Sequence, residues 1–192
     1  MTTTQNQSQS PTQTAVPTGT YMIDPVHSSL GFVVRHLVAS KVRGSFTGFE
    51  GTVVVGPTPE TSSVTGSVKA DSIVTNQAQR DEHLRSSDFL ETSTYPELTF
   101  ASTRVSARAD GLYDLVGDLT IHGITKEVTF DLEYLGESPG LAPNTSVVGF
   151  EARTSIDRRD FDVSFNGTLE NGSFVVSNKV ELELAIEASR PN

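Results

Sequence analysis

The chain has 192 residues, a formal net charge of −10 and no cysteine. Its 14 lysine and arginine residues are scattered rather than gathered into a stripe, which argues against a nucleic-acid partner. Without cysteine, disulfides, zinc-thiolate sites and thiol catalysis are excluded.

The N-terminus lacks the charged start and apolar core of a signal peptide, and no apolar stretch approaches the roughly 18 residues of a transmembrane helix. We therefore expect a cytoplasmic protein without stable membrane insertion. Residues 1–18 are almost entirely Thr, Gln, Ser, Asn and Pro, which predicts a disordered polar tail. Residues 19–190 are long enough to form a single domain with a substantial interior.

The first part of this domain has the period of two that is typical of β-strands. Residues 30–38 have an even-numbered face that consists of Leu30, Phe32, Val34, His36 and Val38. A hydrogen-bonded role in the wall or at its rim is the commoner one for a histidine such as His36, and ligand contact is the alternative. Residues 43–55 contain three glycines among apolar residues, which predicts a bent or bulged strand, and residues 64–74 form the next strand.

The alternation is interrupted over residues 77–90, where good helix formers predict one or two short helical turns. Strand periodicity returns at about residues 97–108, after Pro96. We expect the helical insertion to cap or gate one end of the domain, because insertions on a β-scaffold usually carry function at its mouth.

Residues 112–135 predict a hairpin with His122-Gly123 as its two-residue turn. The facing apolar pairs are then Ile121 and Ile124, Gly117 and Val128, Leu115 and Phe130, and Tyr113 and Leu132. A shift by one residue would move aspartate and glutamate into this apolar layer, so the pattern specifies the register strongly.

Two further strands follow, over residues 146–156 and from Phe174 to Ala188. At ~3.4 Å per residue, the last strand of about 15 residues spans roughly 50 Å. Long amphipathic antiparallel strands must pack against a second sheet or close on themselves. The pattern therefore predicts an all-β fold, most simply an extended eight-stranded antiparallel up-and-down barrel with a short helical insertion, and a two-sheet sandwich is the alternative.

Several stretches, taken in order, resemble one known family. They are Ile23 to Phe32 (IDPVHSSLGF), Arg35 to Leu37 (RHL), Arg43 to Phe46 (RGSF), Arg80 to Phe89 (RDEHLRSSDF), Tyr95-Pro96, Gly117 to Lys126 (GDLTIHGITK) and Arg158 to Phe161 (RRDF). From about Gly19 to Ala188, the chain resembles the YceI-like proteins, which are polyisoprenoid-binding, lipocalin-like β-barrels.

This resemblance implies that residues 19–190 form one lipid-binding barrel, whose apolar tunnel holds an isoprenoid chain lengthwise for storage, transport or sequestration. The lipid would be a polyprenyl phosphate or diphosphate, or an isoprenoid quinone. The resemblance implies no established catalytic residues, and we expect no cofactor and no metal. Many members of the family are periplasmic, and the expected cytoplasmic location departs from that pattern.

The inward parity of the strands gives the residues that we expect to line the tunnel. They are Phe32, Val34, His36, Phe100, Leu115, Leu119, Val128, Phe130, Leu132, Phe150, Val180, Leu182, Leu184 and Ile186. Candidates for contact with the lipid head group are Arg80, His83, Arg85, Arg158 and Arg159. An arginine suits a phosphate because its planar fork donates two parallel hydrogen bonds, but surface arginines more often pair with nearby aspartates such as Asp81, Asp88 and Asp160.

Three alternatives to a lipid-binding barrel stay open, namely an enzyme, a metal site and a barrel with a filled core. An enzyme or a three-histidine metal site could use His27, His83 and His122, with Asp24, Asp81 and Asp118 nearby in sequence, although no metal-binding spacing such as His-x-His is present. Ser28, Ser29 and Ser86 lack the sequence context of a hydrolase nucleophile. A barrel with a filled core that serves a structural or protein-interaction role is the third alternative, and a homodimer is one of the oligomeric states left open.

Overall fold

The structure of the protein is a computed structural model that describes residues 16–37, 40–168 and 175–191. Its strands are β1 (Gly19–Ile23), β2 (Ser29–His36), β3 (Ser40–Phe46), β4 (Phe49–Val55), β5 (Ser63–Lys69), β6 (Ile73–Val74), β7 (Glu97–Ala107), β8 (Tyr113–Ile121), β9 (Ile124–Pro139), β10 (Thr145–Asp157) and β11 (Val176–Pro191). The helix α1 (Ala78–Arg85) stands between β6 and β7, and 3-10 turns occupy Pro59–Thr61, Ala70–Ser72 and Arg158–Phe161.

Six of these strands form three bent strands, each made of two successive parts. β1 leads into β2, β3 leads into β4 through residues 47–48, and β5 leads into β6 through the 3-10 turn Ala70–Ser72. The first two bent strands pair along both of their parts, because β1 pairs with β4 and β2 with β3. The second and third do the same, because β4 pairs with β5 and β3 with β6. The predicted bend within residues 43–55 is therefore confirmed, and it lies at residues 47–48.

When each bent strand is counted once, the sheet is a closed antiparallel barrel of eight strands, as predicted. Strands that follow each other in sequence are neighbours in the barrel. β11 closes it, since Ala188 pairs with Ile23 of β1 and Leu184 pairs with Leu30 of β2. Closure leaves no long unpaired edge, which explains how strands of up to 16 residues avoid edge-to-edge association.

The β8–β9 hairpin has the register that the alternation predicts. Ile121 pairs with Ile124 and Leu115 pairs with Phe130. His122 and Gly123 have φ angles of +51° and +72°, as a two-residue turn with both central residues left-handed requires. A Cβ atom on Gly123 would lie 2.6 Å from a ring carbon of Tyr95, so the close approach of this ring also favours glycine.

Some sequence-based expectations concern residues that the structure does not describe. Residues 1–15 of the predicted tail, Val38 and Phe174 lie outside the described residues. Within residues 16–18, the side chain of Val16 packs against the barrel. The boundary at residue 18 stays a prediction.

The two ends of the barrel are formed by different elements. The end at which β1 begins and β11 finishes, called here the closed end, contains Tyr21, Val148 and Ala188, each with 0% exposure. The Tyr21 hydroxyl donates a hydrogen bond to the Pro17 carbonyl at 3.0 Å, the Arg190 guanidinium lies 5.1 Å from the Tyr21 ring centroid, and burial raises the pKa of Tyr21. The opposite end, called the open end, is formed by α1 and its continuation, the β8–β9 turn and the 3-10 turn Arg158–Phe161. Among the described residues, no helix is long and apolar enough to cross a membrane.

Candidate ligand-binding cavity

The barrel encloses a cavity of about 620 Å³. Nearly all of the predicted lining residues lie on its wall. They are Phe32, Val34, His36, Phe100, Leu115, Leu119, Phe130, Leu132, Phe150, Val180, Leu182, Leu184 and Ile186. The remaining one, Val128, packs into the apolar clusters of the wall instead. Whether these side chains contact a ligand stays a prediction.

The cavity follows from which side chains the strands turn inward. On β11, Leu182 and Leu184 line the cavity, whereas Glu183 between them reaches Arg43 on the outside at 3.0 Å. Ala152 of β10 pairs with Leu184 and lines the cavity. Gly66 of β5 also lines it, and an added Cβ there would meet only ordinary van der Waals contact. Small residues among large ones therefore leave space along the barrel.

Apolar residues that the alternation did not predict line the cavity at the open end. Phe89 and Leu90 come from the segment after α1, and Phe161, Val163 and Phe165 come from the 3-10 turn and the loop behind it. The ring centroids of His83, Phe89 and Phe165 lie 5.0–5.3 Å apart in all three pairs. Phe161, Val163 and Phe165 are spaced two residues apart, and this period of two could have predicted that they share one face.

Arg80 of α1 lies on the cavity wall at the open end. Its Nε donates to the Thr75 hydroxyl at 2.7 Å and its Nη2 donates to the Thr75 carbonyl at 2.9 Å. The same threonine is held by buried Asp81, which accepts a hydrogen bond from the Thr75 backbone N–H at 2.8 Å. Within the described residues, Nη1 of Arg80 has no partner, so Arg80 is fixed in place with donors to spare.

Arg158 also lines the cavity, but it is 6% exposed and its donors are engaged. Its Nη1 donates to the carbonyls of Val163 and Phe165 at 2.7 and 2.8 Å. Its Nε donates to the Ser177 carbonyl at 3.2 Å and its Nη2 donates to Asn178 Oδ1 at 3.3 Å. Burial lowers the pKa of Arg158. This arginine therefore fastens the loop behind the 3-10 turn to β11.

The other three head-group candidates differ in position. His83 lines the cavity, and its Nε2 lies 2.8 Å from Asp88 Oδ2. Arg85 lies outside the lining, where it donates to backbone carbonyls at residues 71 and 73. Arg159 also lies outside and pairs with Asp157 at 2.6 Å, and its hydrogen bonds lower the pKa of that carboxyl to about 2. The structure thus separates five residues that sequence grouped together.

His36 lies on the wall near the end of β2 and is half-buried. Within the described part of the chain, its side chain makes no hydrogen bond. It therefore faces the cavity as a polar group at the rim, where either nitrogen is available to a ligand.

The remaining histidines are not brought together. His122 packs on the ring of Tyr95 with centroids 4.4 Å apart, whereas His83 lies in the aromatic cluster. His27 Nδ1 lies 2.7 Å from Asp24 Oδ2 and 3.8 Å from Glu187 Oε2, and the hydrogen bond raises the pKa of His27. Asp24, His27 and Glu187 form a surface group whose potential metal-ligating atoms lie within 4.8 Å of one another, and the His27 side chain is 53% exposed.

Two of the serines considered as nucleophiles, Ser28 and Ser86, are engaged in backbone contacts. The Ser28 hydroxyl donates to the Glu187 carbonyl at 3.1 Å and accepts from the Glu187 N–H at 2.9 Å. The Ser86 hydroxyl donates to the His83 carbonyl at 2.8 Å. These contacts tie the β1–β2 bend to β11 and close the last turn of α1.

Comparisons with known proteins agree on the family and fold. The model of the YceI-like domain matches residues 21–188. A UPF0312 protein of Staphylococcus aureus strain MSSA476 is 37% identical over 171 residues, which cover 88% of this chain and 96% of that protein. The crystal structure of a Campylobacter jejuni YCEI protein superposes with a TM-score of 0.69 at 27% identity, covering 82% of this chain and 90% of the other. A polyisoprenoid binding domain from Saccharophagus degradans shares the fold, with a TM-score of 0.65 at 18% identity and coverage of 89% and 98%.

Proposed function

Because the chain belongs to the YceI-like family, we propose that it binds one isoprenoid lipid, with the tail inside the barrel and the head group at the open end. The observation that carries this proposal is the cavity of about 620 Å³ along the barrel axis, lined almost wholly by apolar side chains. Such a site excludes polar ligands, because few groups in its wall can replace the hydrogen bonds that a polar ligand makes with water. Storage, transport or sequestration of the lipid is the role that we propose.

The shape of the cavity supports a slim, flexible tail rather than a compact ligand. An eight-stranded barrel is narrow, and here the lining runs from Ile23 and Val53 towards the closed end to Phe165 at the open end. The Saccharophagus degradans domain of the same fold, described as polyisoprenoid binding, supports an isoprenoid as that tail. A barrel with a filled core is less well supported, because a filled core does not leave a cavity of this size.

The cavity volume suggests how much of the tail it holds. At roughly 30 Å³ per water-sized group, 620 Å³ corresponds to about 20 methylene-sized groups, or about four isoprene units. Each buried methylene contributes about 0.8 kcal/mol before the cost of ordering the chain is subtracted. Affinity is therefore expected to rise with tail length up to about four units and to level off beyond that length.

Gly66 offers a direct test of the cavity as the binding site. Gly66→Leu places a side chain in the cavity from the middle of β5 without a close backbone contact. Ser67→Leu, which adds similar apolar bulk at a residue that does not line the cavity, is the matched control. In native mass spectrometry and fluorescence titration with prenyl alcohols of graded length, Gly66→Leu should bind more weakly and favour shorter tails. Equal affinity of both variants and the wild-type chain would show that the cavity is not the site.

For the head group, we propose that Arg80 is the cation that contacts a phosphate, since it lines the open end with unused donors. Arg80→Gln should weaken binding of a prenyl phosphate more than binding of a prenyl alcohol of equal length. Arg85→Gln on the same helix is the control, because Arg85 lies outside the lining. If both variants lose equal affinity for both lipids, tail burial alone determines binding.

A further inference from the structure

The outer wall of the barrel beside the open end carries unpaired positive charge. Arg35 of β2 and Lys41 of β3 lie directly opposite each other in the register, and Lys179 of β11 lines the same shallow surface depression. All three side chains are exposed, and among the described residues none forms an ion pair. Glu181 is the carboxylate that lines this depression. Asp157 lies opposite Lys179 in the register but already pairs with Arg159, so the cations exceed the free carboxylates here in a chain of net charge −10.

This arrangement costs the barrel stability, because like charges directly opposite on neighbouring strands repel each other. Two residues further along β3, Arg43 pairs with Glu183 of β11 at 3.0 Å, so a cation on these strands can find a partner within the chain. The unpaired cations nearer the rim therefore indicate an anionic partner outside the chain.

Exposed apolar side chains border these cations at the rim. Leu37, which follows Arg35 and His36, is 48% exposed, and Phe165 is 42% exposed. Backbone hydrogen bonds join their segments, since the Leu37 N–H donates to the Val175 carbonyl at 2.8 Å and the Val175 N–H donates to the Gly167 carbonyl at 3.0 Å. We call Arg35, Lys41, Lys179, Leu37 and Phe165 together the docking edge.

We propose that the docking edge places the open end of the barrel on a lipid membrane with anionic head groups. Apolar side chains flanked by lysine and arginine match the chemistry of the membrane interface. The apolar side chains enter the boundary of the acyl chains, and the lysine and arginine side chains contact anionic head groups. The inference rests on the proposed function in one respect, because a lipid carrier has to exchange its ligand with a membrane.

The rest of the open end determines the orientation. Its exposed acidic side chains belong to α1, its continuation and the 3-10 turn, and include Glu82, Asp88, Asp160 and Asp162. The side that meets the membrane is therefore the β2–β3–β11 side, where Arg35, Lys41 and Lys179 lie, and the acidic side chains before Phe165 stand at its border. An acidic protein would fit the cations as well, but it gives no reason for exposed Leu37 beside the cavity mouth.

Co-sedimentation of the full chain with vesicles tests the proposal. The probes are vesicles of phosphatidylcholine alone and of phosphatidylcholine mixed with phosphatidylglycerol, both without isoprenoid. The wild-type chain should bind the anionic vesicles, and high salt should release it. Lys41→Gln with Lys179→Gln should weaken binding about 30-fold, whereas Arg104→Gln with Lys126→Gln, which removes two exposed cations from the opposite side of the barrel, should bind as the wild type does.

The apolar part has its own matched pair. Leu37→Ser with Phe165→Ser should weaken vesicle binding, and Leu135→Ser with Leu141→Ser, two exposed leucines towards the closed end, should not. Equal binding to neutral and anionic vesicles, equal weakening by the edge and control variants, or no vesicle binding at all would overturn the proposal. No vesicle binding would make an acidic protein the partner to test next.

Binding of a prenyl alcohol to the Lys41→Gln, Lys179→Gln variant separates this proposal from the proposed function. Lys41 and Lys179 do not line the cavity, so their replacement should leave prenyl alcohol binding unchanged. A chain that binds prenyl alcohol but no vesicles would contradict only the docking edge. A chain that binds anionic vesicles but no prenyl alcohol would contradict only the carrier function.

Discussion

The closed end and the open end of this barrel are built from the same alternating strands but differ in the side chains that they place at the cavity. At the closed end, Tyr21, Val148 and Ala188 are fully buried, and Val16 packs against them. At the open end, polar and charged groups such as Arg80, His83 and Arg158 stand among apolar side chains on the cavity wall. Both ends contain buried apolar side chains, since Phe161 at the open end is 1% exposed, but the open end also places charged donors on the cavity wall.

This difference predicts where a substitution should cost the most folding stability and where it should mainly change the cavity. Removing a side chain from the closed end opens a new cavity, whereas removing one from the wall enlarges space that the barrel already contains. The following substitutions test this contrast, and they are ordered by the size of the expected effect.

The largest effect is expected at Tyr21. Tyr21→Ala should lower the free energy of unfolding by about 3–5 kcal/mol, because a fully buried aromatic ring is lost from the closed end. Chemical denaturation measures this change. Tyr21→Phe keeps the ring and loses only the hydrogen bond to Pro17, so it should cost about 1 kcal/mol. Equal costs for both variants would show that the ring is not what closes this end.

Arg158 should come second, as the buried group that organises the open end. Arg158→Met removes hydrogen bonds to Val163, Phe165, Ser177 and Asn178 and should cost about 2–3 kcal/mol. Amide hydrogen exchange should become faster in residues 163–167. Arg159→Met is the control, and it should change stability by less than about 0.5 kcal/mol because Arg159 is exposed. Similar effects of the two variants would contradict the separate roles of these neighbours.

Leu184 tests the wall of the cavity itself. Leu184→Ala should cost less than about 2 kcal/mol, below the usual range for a leucine in a filled core, because the new space joins an existing cavity. The same denaturation measurement applies, and the variant should accept a slightly bulkier tail. A cost of about 4 kcal/mol would instead indicate a filled core.

The smallest effect concerns the pKa of Asp157. Hydrogen bonds from Arg159 lower it to about 2, below the ordinary value of about 3.9. This pair therefore stabilises the fold above the unfolded pKa, and the contribution is lost as the pH falls through the folded pKa. Arg159→Gln should raise the Asp157 pKa without fully restoring it, because the backbone N–H of residue 159 still donates to the carboxylate. Carboxyl NMR titration measures this shift, and an unchanged pKa would contradict the assigned cause.

Much of the fold could be predicted from the sequence, because alternation and turn chemistry are local. The pairing of Leu115 with Phe130 follows from a two-residue turn at His122-Gly123 and from a penalty for burying Asp or Glu after a one-residue shift. The wall residues followed from the same parity. Val128 has the inward parity, but it packs into the apolar clusters of the wall and does not line the cavity.

The roles of the polar residues could not be predicted in this way. The sequence presents Arg158 and Arg159 as equivalent neighbours, yet the first is buried with four acceptors and the second lies outside with Asp157. Three of those acceptors are backbone carbonyls, at Val163, Phe165 and Ser177, and any residue type supplies a carbonyl. A pattern of side chains therefore gave no signal of this contact.

By itself the sequence determined the inward face of each strand, the hairpin register, the interruption by α1 and the membership of a barrel family, because each depends on spacing along the chain. Only the tertiary structure decided that a cavity of about 620 Å³ lies inside the barrel, that Arg158 is buried while Arg159 is exposed, and that Arg80 rather than Arg85 borders the cavity. Those features depend on how side chains from strands far apart in sequence fill a shared volume, and a volume is fixed only when the barrel closes.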